Sequence, residues 1–373
     1  MASAAEQLAQ NINFGSFAKA KELQKRILFT LGILVAYRIG TYIPVPGIDP
    51  DQFRAVFENQ SGGILGMVNI FAGGAIERMA IFALNVMPYI SASIIMQLMA
   101  ATIPSLEKLK KEGGEAGRKQ INQYSRYLTV ILAAAQGLAI ALSMVRPDPT
   151  TGATIAMDPG LFFIVTTVTT FVGGTMLLLW MGEQITARGV GNGVSLIIFT
   201  GIITVIPGML WGLLQQMEQG AIGAGVGLGI LALMIGTVVF VVFIERSQRR
   251  ILVQYPKRQM GSRMVFNPEE TAANLRKYGG FLPGIRPGKR TAEYLDYVLS
   301  RLTLIGALYL TIVCLLPEFI RGPASAVTFA LGGTSILIVV SVTLDTVGQI
   351  QSHLLAHQYE GLIKKTKLRG RRR

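Results

Sequence analysis

The sequence predicts an all-α polytopic membrane protein. Three observations carry this: 51 % of the 373 residues are hydrophobic and only 15 % are charged; apolar runs of spanning length recur along the chain; and the basic residues concentrate in alternate connections. A soluble domain carries roughly a quarter charged residues, and mean hydropathy here is +0.47. That composition argues against an ordinary cytosolic enzyme. The formal net charge is nevertheless +14, and in a chain this apolar such an excess belongs on one side of a bilayer. Residues 1–17 are mixed and polar and do not read as a cleavable secretory signal.

A helix needs about 20 mostly apolar residues to cross a ~30 Å hydrocarbon core. Eight stretches meet or approach this length, at about 27–43, 79–103, 127–145, 159–182, 190–214, 219–244, 302–317 and 324–344. The first and seventh are short, and the seventh extends back to about Asp296. With the N-terminus on one side, 30 of the 35 lysines and arginines fall on that side and four on the other, with Arg38 inside the first span. The positive-inside rule makes the basic side cytoplasmic, so both termini are expected there.

The spans hold almost no chemistry. Transporters and intramembrane enzymes keep ionisable groups near the midplane at considerable cost, whereas here Arg38 lies toward one end of its span and Asp345 sits where the last span ends. The milder polar groups are Asn85, Ser91, Ser93, Gln97, Gln136 and the threonines around 166–170. One cysteine, Cys314, excludes an internal disulfide and a Cys-based zinc site. His353 and His357 have metal-chelating i, i+4 spacing but no evident third ligand, so they read as solvated histidines. Gly189–Gly193 (GVGNG) resembles a phosphate loop but lies between two spans and follows no strand, and Gly113–Lys119 lacks the Walker spacing; both readings are rejected. No cofactor is expected, and no enzymatic activity.

Two segments stand apart. Residues 64–72 are apolar but make a helix only ~13 Å long, too short to cross, with Gly62-Gly63 and Gly73-Gly74 at its ends as hinges. Such a half-helix is either buried in protein at membrane depth or an amphipathic helix lying on the interface. The segment 245–301 carries 12 basic residues and is far longer than the other connections. It either only orients the protein or docks an acidic or RNA surface.

Several stretches in order resemble the SecY family, the channel subunits of the bacterial Sec protein translocase. They are Tyr37-Arg-Ile-Gly40 with Ile43-Pro-Val-Pro-Gly-Ile48, Asn85-Val-Met-Pro-Tyr-Ile-Ser-Ala-Ser-Ile94, and Gly182-Glu-Gln-Ile-Thr-Ala-Arg-Gly-Val-Gly-Asn-Gly193. Further along come Glu245-Arg-Ser-Gln-Arg-Arg-Ile251, Phe266-Asn-Pro-Glu-Glu-Thr271, Pro283-Gly-Ile-Arg-Pro-Gly288 and Gly332-Gly-Thr-Ser335. The resemblance is collinear from about Phe17 to Gly370. It departs in one respect: the family has ten spans in two inverted halves of five, and eight are visible here. Met264 runs directly into Val265, so the family's seventh and eighth spans are missing between them.

The resemblance implies a helical bundle channel that passes unfolded secretory proteins across the bacterial cytoplasmic membrane and inserts membrane proteins sideways into it. It implies an N-terminal segment 1–26, an N-terminal half 27–218 with a plug at about 61–76, a C-terminal half 219–347 and a basic tail 348–373. The plug would comprise Ile64, Leu65, Met67, Val68, Ile70 and Phe71. Val86, Ile90, Val194, Ile198 and Ile338 would form a pore ring, where branched apolar side chains seal around an extended chain without binding it tightly. Docking would fall to Arg246, Arg249, Arg250, Lys257, Arg258, Arg286, Lys289 and Arg290. The implied partners are the SecE and SecG subunits, the SecA ATPase, the ribosome through its rRNA, signal-sequence-bearing polypeptides and membrane lipids. The alternative class, a secondary transporter of a small solute, is disfavoured by the lack of midplane charge, and an intramembrane hydrolase by the lack of a nucleophile and base.

Overall fold

The computed structural model describes residues 21–49, 53, 57, 64–146, 156–220, 223–247, 268–277, 282–321 and 332–370. The expectation of an all-α chain holds: the described elements are helices, joined by turns and two isolated bridges, Pro44 with Ala80 and Ile48 with Ala156. They are α1 (Lys21–Gly40), α2 (Ile64–Phe71), α3 (Met87–Thr102), α4 (Pro104–Glu112), α5 (Gly114–Val145), α6 (Leu161–Arg188), α7 (Gly193–Glu218), α8 (Ala224–Arg246), α9 (Pro268–Lys277), α10 (Lys289–Arg321) and α11 (Gly333–Gly370). One compact unit holds α1 to α7 and most of α11; a second holds α8 to α10.

Six of the described helices, α5, α6, α7, α8, α10 and α11, are long and apolar enough to cross a membrane on their own. Their most apolar stretches are only 17 to 33 % buried in protein. Large side chains such as Phe162, Leu304 and Phe243 stand at 85, 72 and 68 % exposure. A soluble protein does not tolerate so much exposed apolar surface; a lipid-facing one requires it.

The eight expected spans need two adjustments. The second, placed at 79–103, is helical only from Met87, and its 16 residues reach ~24 Å. Met79 and Asn85 both have left-handed backbones, φ 43° and 49°, and Pro88 in the first turn cannot accept a helix entering from upstream. At the other end Ile103 is extended before Pro104, as a residue preceding proline prefers. The chain there bends by 102° into α4, and only together with α4 is α3 long and apolar enough to cross. The first span is the helix α1, but Lys21, Lys25, Arg26 and Arg38 within its 20 residues keep it off the list of spans by composition.

In the first unit α6 packs against α5, α1 and α7. A close approach between α6 and α7 is set by glycine: a Cβ at Gly193 would strike the carbonyl of Gly182, and small residues at such crossings let helix backbones meet in the membrane. Gly208, further along α7, has nothing within 4 Å of the same position. Gly193→Val should therefore lower stability by about 1–3 kcal/mol, the usual range for overpacking, read as a lower thermal midpoint in nanodiscs. Gly208→Val should leave that midpoint within error.

Candidate functional site

The five residues expected to form a ring come together. Val86, Ile90, Val194, Ile198 and Ile338 all belong to one apolar cluster, built around Tyr37, Phe82, Leu178, Met181, Ile185, Leu196, Ile197 and Val342. They arrive from the start of α3, the first turns of α7 and the first turns of α11, elements more than 100 residues apart in sequence. Val86 is fully buried; the other four are half-buried, so one side of each is free to face a lumen. A second cluster forms around Val45, Ile48, Phe53, Phe57, Met79, Phe163 and Phe171.

The half-helix is present as α2 and packs against α7. Ile70 is buried; the side chains of Ile64, Leu65, Met67 and Val68 lie outside what the structure describes. Burial of α2's C-terminal end against α7 favours the protein-embedded alternative over a helix lying on the interface. Its final carbonyl and the two just beyond its end are held by side chains from elsewhere. Asn85 Nδ2 donates to the Phe71 carbonyl at 2.5 Å, Arg38 Nη1 to that of Gly73 at 2.6 Å, and Tyr37 Oη to that of Ala72 at 3.4 Å. A Cβ on Gly201 of α7 would meet the same Phe71 oxygen at 2.5 Å. Sequence reasoning gave Tyr37 and Gly201 no role and treated Asn85 as merely polar. Arg38 was the available signal, since a charge inside a span is costly unless something uses it.

The glycine run at 189–193 is not an anion cradle, and its geometry says why. Its amides are already satisfied: Val190 N–H donates to Thr30 Oγ1 at 3.1 Å, Gly191 N–H to Gln349 Oε1 at 3.0 Å and Gly193 N–H to Thr186 Oγ1 at 2.9 Å. The run ties α1 and α11 to the α6–α7 junction. Nearby, Arg126 Nη2 and Glu183 Oε1 pair at 2.6 Å between α5 and α6; half-exposed, this contributes at most about 1 kcal/mol.

Of the basic residues expected to dock a partner, Arg246 ends α8, and Arg286, Lys289 and Arg290 precede or begin α10, all exposed. Arg249, Arg250, Lys257 and Arg258, and the Met264–Val265 junction, lie outside the described residues. Arg286 occupies a turn between Gly284 and Gly288, whose φ values of 83° and 116° only glycine adopts readily. Its carbonyl accepts from Thr291 Oγ1 at 3.0 Å, which anchors the turn to the start of α10. No group of three potential metal ligands occurs among the described residues, and His353 is exposed.

Helices of spanning length with exposed apolar faces, an apolar cluster between them and a half-helix packed on α7 are the build of a polytopic α-helical membrane protein. The family model SecY matches residues 80–265 and 260–347. Relatives named protein translocase subunit SecY include those of Rickettsia bellii, 41 % identical over 96 % of this chain and 100 % of the relative, and Pseudomonas aeruginosa, 43 % identical over 94 and 95 %. That of Escherichia coli K12 is 41 % identical over 94 and 96 %. In fold, the chain is similar to a solved protein-conducting channel, with TM-score 0.61 and 15 % identity over 88 % of this chain and 92 % of that one. It is similar also to a SecY protein whose plug domain is described as stabilising the closed channel and maintaining a membrane seal, with TM-score 0.59 and 16 % identity over the same shares. The chain belongs to the SecY family of translocase subunits, and it is a multi-pass, protein-conducting channel.

If the five residues seal the channel, a polar side chain there should wet it. Ile90→Asn or Ile198→Asn should raise resting ion conductance across planar bilayers at least several-fold. Ile140→Asn, in the remote cluster, should leave conductance at the wild-type level. Equal leakage from both places would remove the ring assignment.

Proposed function

We propose that this chain passes unfolded secretory polypeptides across the bacterial cytoplasmic membrane, and membrane segments sideways into it, through the constriction of Val86, Ile90, Val194, Ile198 and Ile338, with α2 as the resting plug. The observation that carries the reading is the convergence of those five residues in one apolar cluster while α2 packs on the same helix, α7. The plug role follows the behaviour described for the similarly folded SecY protein. Both termini face the cytoplasm on this reading, because the side that holds them carries 30 of the 35 basic residues.

The chain works with SecE and SecG and is driven by SecA or by a translating ribosome; a Sec61 relative of the same fold is known from a ribosome–channel complex. The basic connection from Arg246 to Arg290 is the docking face, with Arg249, Arg250, Lys257, Arg258 and Lys289 supplying positive charge. Arg286 is its focus: the glycine-flanked turn presents one forked guanidinium suited to a carboxylate or phosphate. The family's seventh and eighth spans are missing between Met264 and Val265. In support, the family match breaks into two segments that meet at 260–265, and the alignment with the Rickettsia relative runs over 436 residues, more than this chain contains.

In vesicles holding this chain with SecE and SecG, SecA and ATP should drive import of a secretory precursor. Arg286→Glu should abolish that import at equal protein level, while Arg276→Glu, close by on α9 but outside the turn, should reduce it less than about threefold, as one surface charge among many. Normal import through the Arg286→Glu channel would rule out this docking role.

A further inference from the structure

The end of α2 raises a question the plug reading leaves open: what keeps it seated, and what lets it go. A helix's last four carbonyls lack partners within the helix; in α2 those of Asn69 and Ile70 accept from Gly74 and Gly73 N–H, while the final one, of Phe71, and the two just past the helix end, of Ala72 and Gly73, are met by three side chains. Asn85 and Arg38 make the short bonds to the carbonyls of Phe71 and Gly73, and Tyr37 a long one to that of Ala72. Arg38 is itself aimed: its Nη2 donates to Tyr42 Oη at 3.1 Å, and the guanidinium lies 4.9 Å from the Tyr42 ring centroid, with that of Arg78 at 4.3 Å. Both cation–π distances are within binding range.

Two of the three gripping groups, Asn85 and Tyr37, connect to the cluster that holds the five ring residues. Asn85 directly precedes Val86, and its Oδ1 accepts the Val86 amide at 2.8 Å, so one side chain bonds the ring residue and the half-helix at once. Gly201, against which the Phe71 carbonyl rests, lies one turn beyond Ile198 on α7. Tyr37 belongs to the same apolar cluster as the ring. The Phe71 carbonyl is thus pinched between the start of α3 and the middle of α7, the two elements that supply four of the five ring residues. Widening the ring by separating them opens the pinch.

We propose that Asn85, Arg38 and Tyr37 are positioning residues that clasp the C-terminal end of α2 and couple its release to dilation of the ring. This rests on α2 being the plug. The prediction is graded by geometry. In nanodiscs holding the full complex, Asn85→Leu and Arg38→Gln should each raise hydrogen exchange of the amides in 64–74 by about tenfold, the loss of one buried bond of this kind. Asn85→Gln, which keeps an amide donor, should recover part of the protection. Tyr37→Phe, which removes a 3.4 Å bond, should change exchange by less than about threefold, near the low end for a weak bond. Ser143→Ala, whose hydroxyl donates only to its own helix, should change nothing. Ile198→Asn makes no contact with the clasp yet should also speed exchange at 64–74, because it loosens the ring. Wild-type exchange in both Asn85→Leu and Arg38→Gln would overturn the clasp, and wild-type exchange in Ile198→Asn would overturn the coupling. Faster exchange in the clasp variants, combined with unchanged conductance after deletion of 64–72, would support the clasp and instead remove the plug reading on which its purpose rests.

Discussion

Unpaired backbone carbonyls at membrane depth are the constraint around which this part of the molecule is organised. A bilayer core offers no water, and each unsatisfied polar group there costs several kcal/mol. Full-length spans satisfy themselves; α2 and the turns from Phe71 to Val86 do not. Many of their donors and acceptors are nevertheless matched within the protein. Gly73 and Gly74 N–H turn back to Ile70 and Asn69, Ala80 N–H to Ala75, Ile81 N–H crosses to Ile43, and Val45 N–H returns to Met79. The side chains of Asn85, Arg38 and Tyr37 complete the set at the helix end. Irregular backbone is allowed here because it is largely buried in protein and bonded to it.

The same constraint explains the chemistry of the neighbouring cluster. A polar group among Val86, Ile90, Val194, Ile198 and Ile338 would either need a partner, and so fix the helices in one arrangement, or bind whatever passes. Branched apolar side chains have no such requirement, and they can part and re-form without leaving a donor or acceptor stranded. An ion entering an uncharged apolar gap loses hydration worth several kcal/mol with nothing offered in return. Sealing and yielding then come from one composition. On the proposed reading the polar contact is displaced by one residue, to Asn85, where it holds the end of α2 and not the substrate path.

Much of this was legible in the sequence, for physical reasons that also set its limits. Apolar runs and one-sided charge identify spans and their direction because both are local properties of composition, and α5 to α8 and α10 follow from them directly. The second span was misplaced by eight residues because hydropathy does not see φ: residues 79–86 are as apolar as the helix they precede, but left-handed Met79 and Asn85 and the following Pro88 stop the helix from starting there. The glycine run at 189–193 was correctly denied a phosphate, although its real task, receiving Thr30 and Gln349, depends on residues about 160 positions away. Asn85 is harder still. Nothing local distinguishes an asparagine that caps its own chain from one that also reaches Phe71, and only the neighbouring backbone reveals it.

Orientation and seal are written in separate parts of this chain, and that separation has a consequence for the discontinuity at 260–265. Charge asymmetry is counted over connections, so removing two consecutive crossings returns the chain to the same side and leaves every later loop correctly signed. The charge pattern is therefore blind to a missing hairpin. Packing is not blind to it, because a wall of a bundle cannot be subtracted without exposing its neighbours. Yet the five ring residues, the half-helix and all three clasp side chains fall within one compact unit, formed by residues before 224 and most of α11. These residues come from α1, α2, α7, α11 and the start of α3, none of which borders residues 264–265 in sequence. On the proposed reading, the polar grip on the end of α2 and the apolar cluster beside it are both specified by contacts within this one unit.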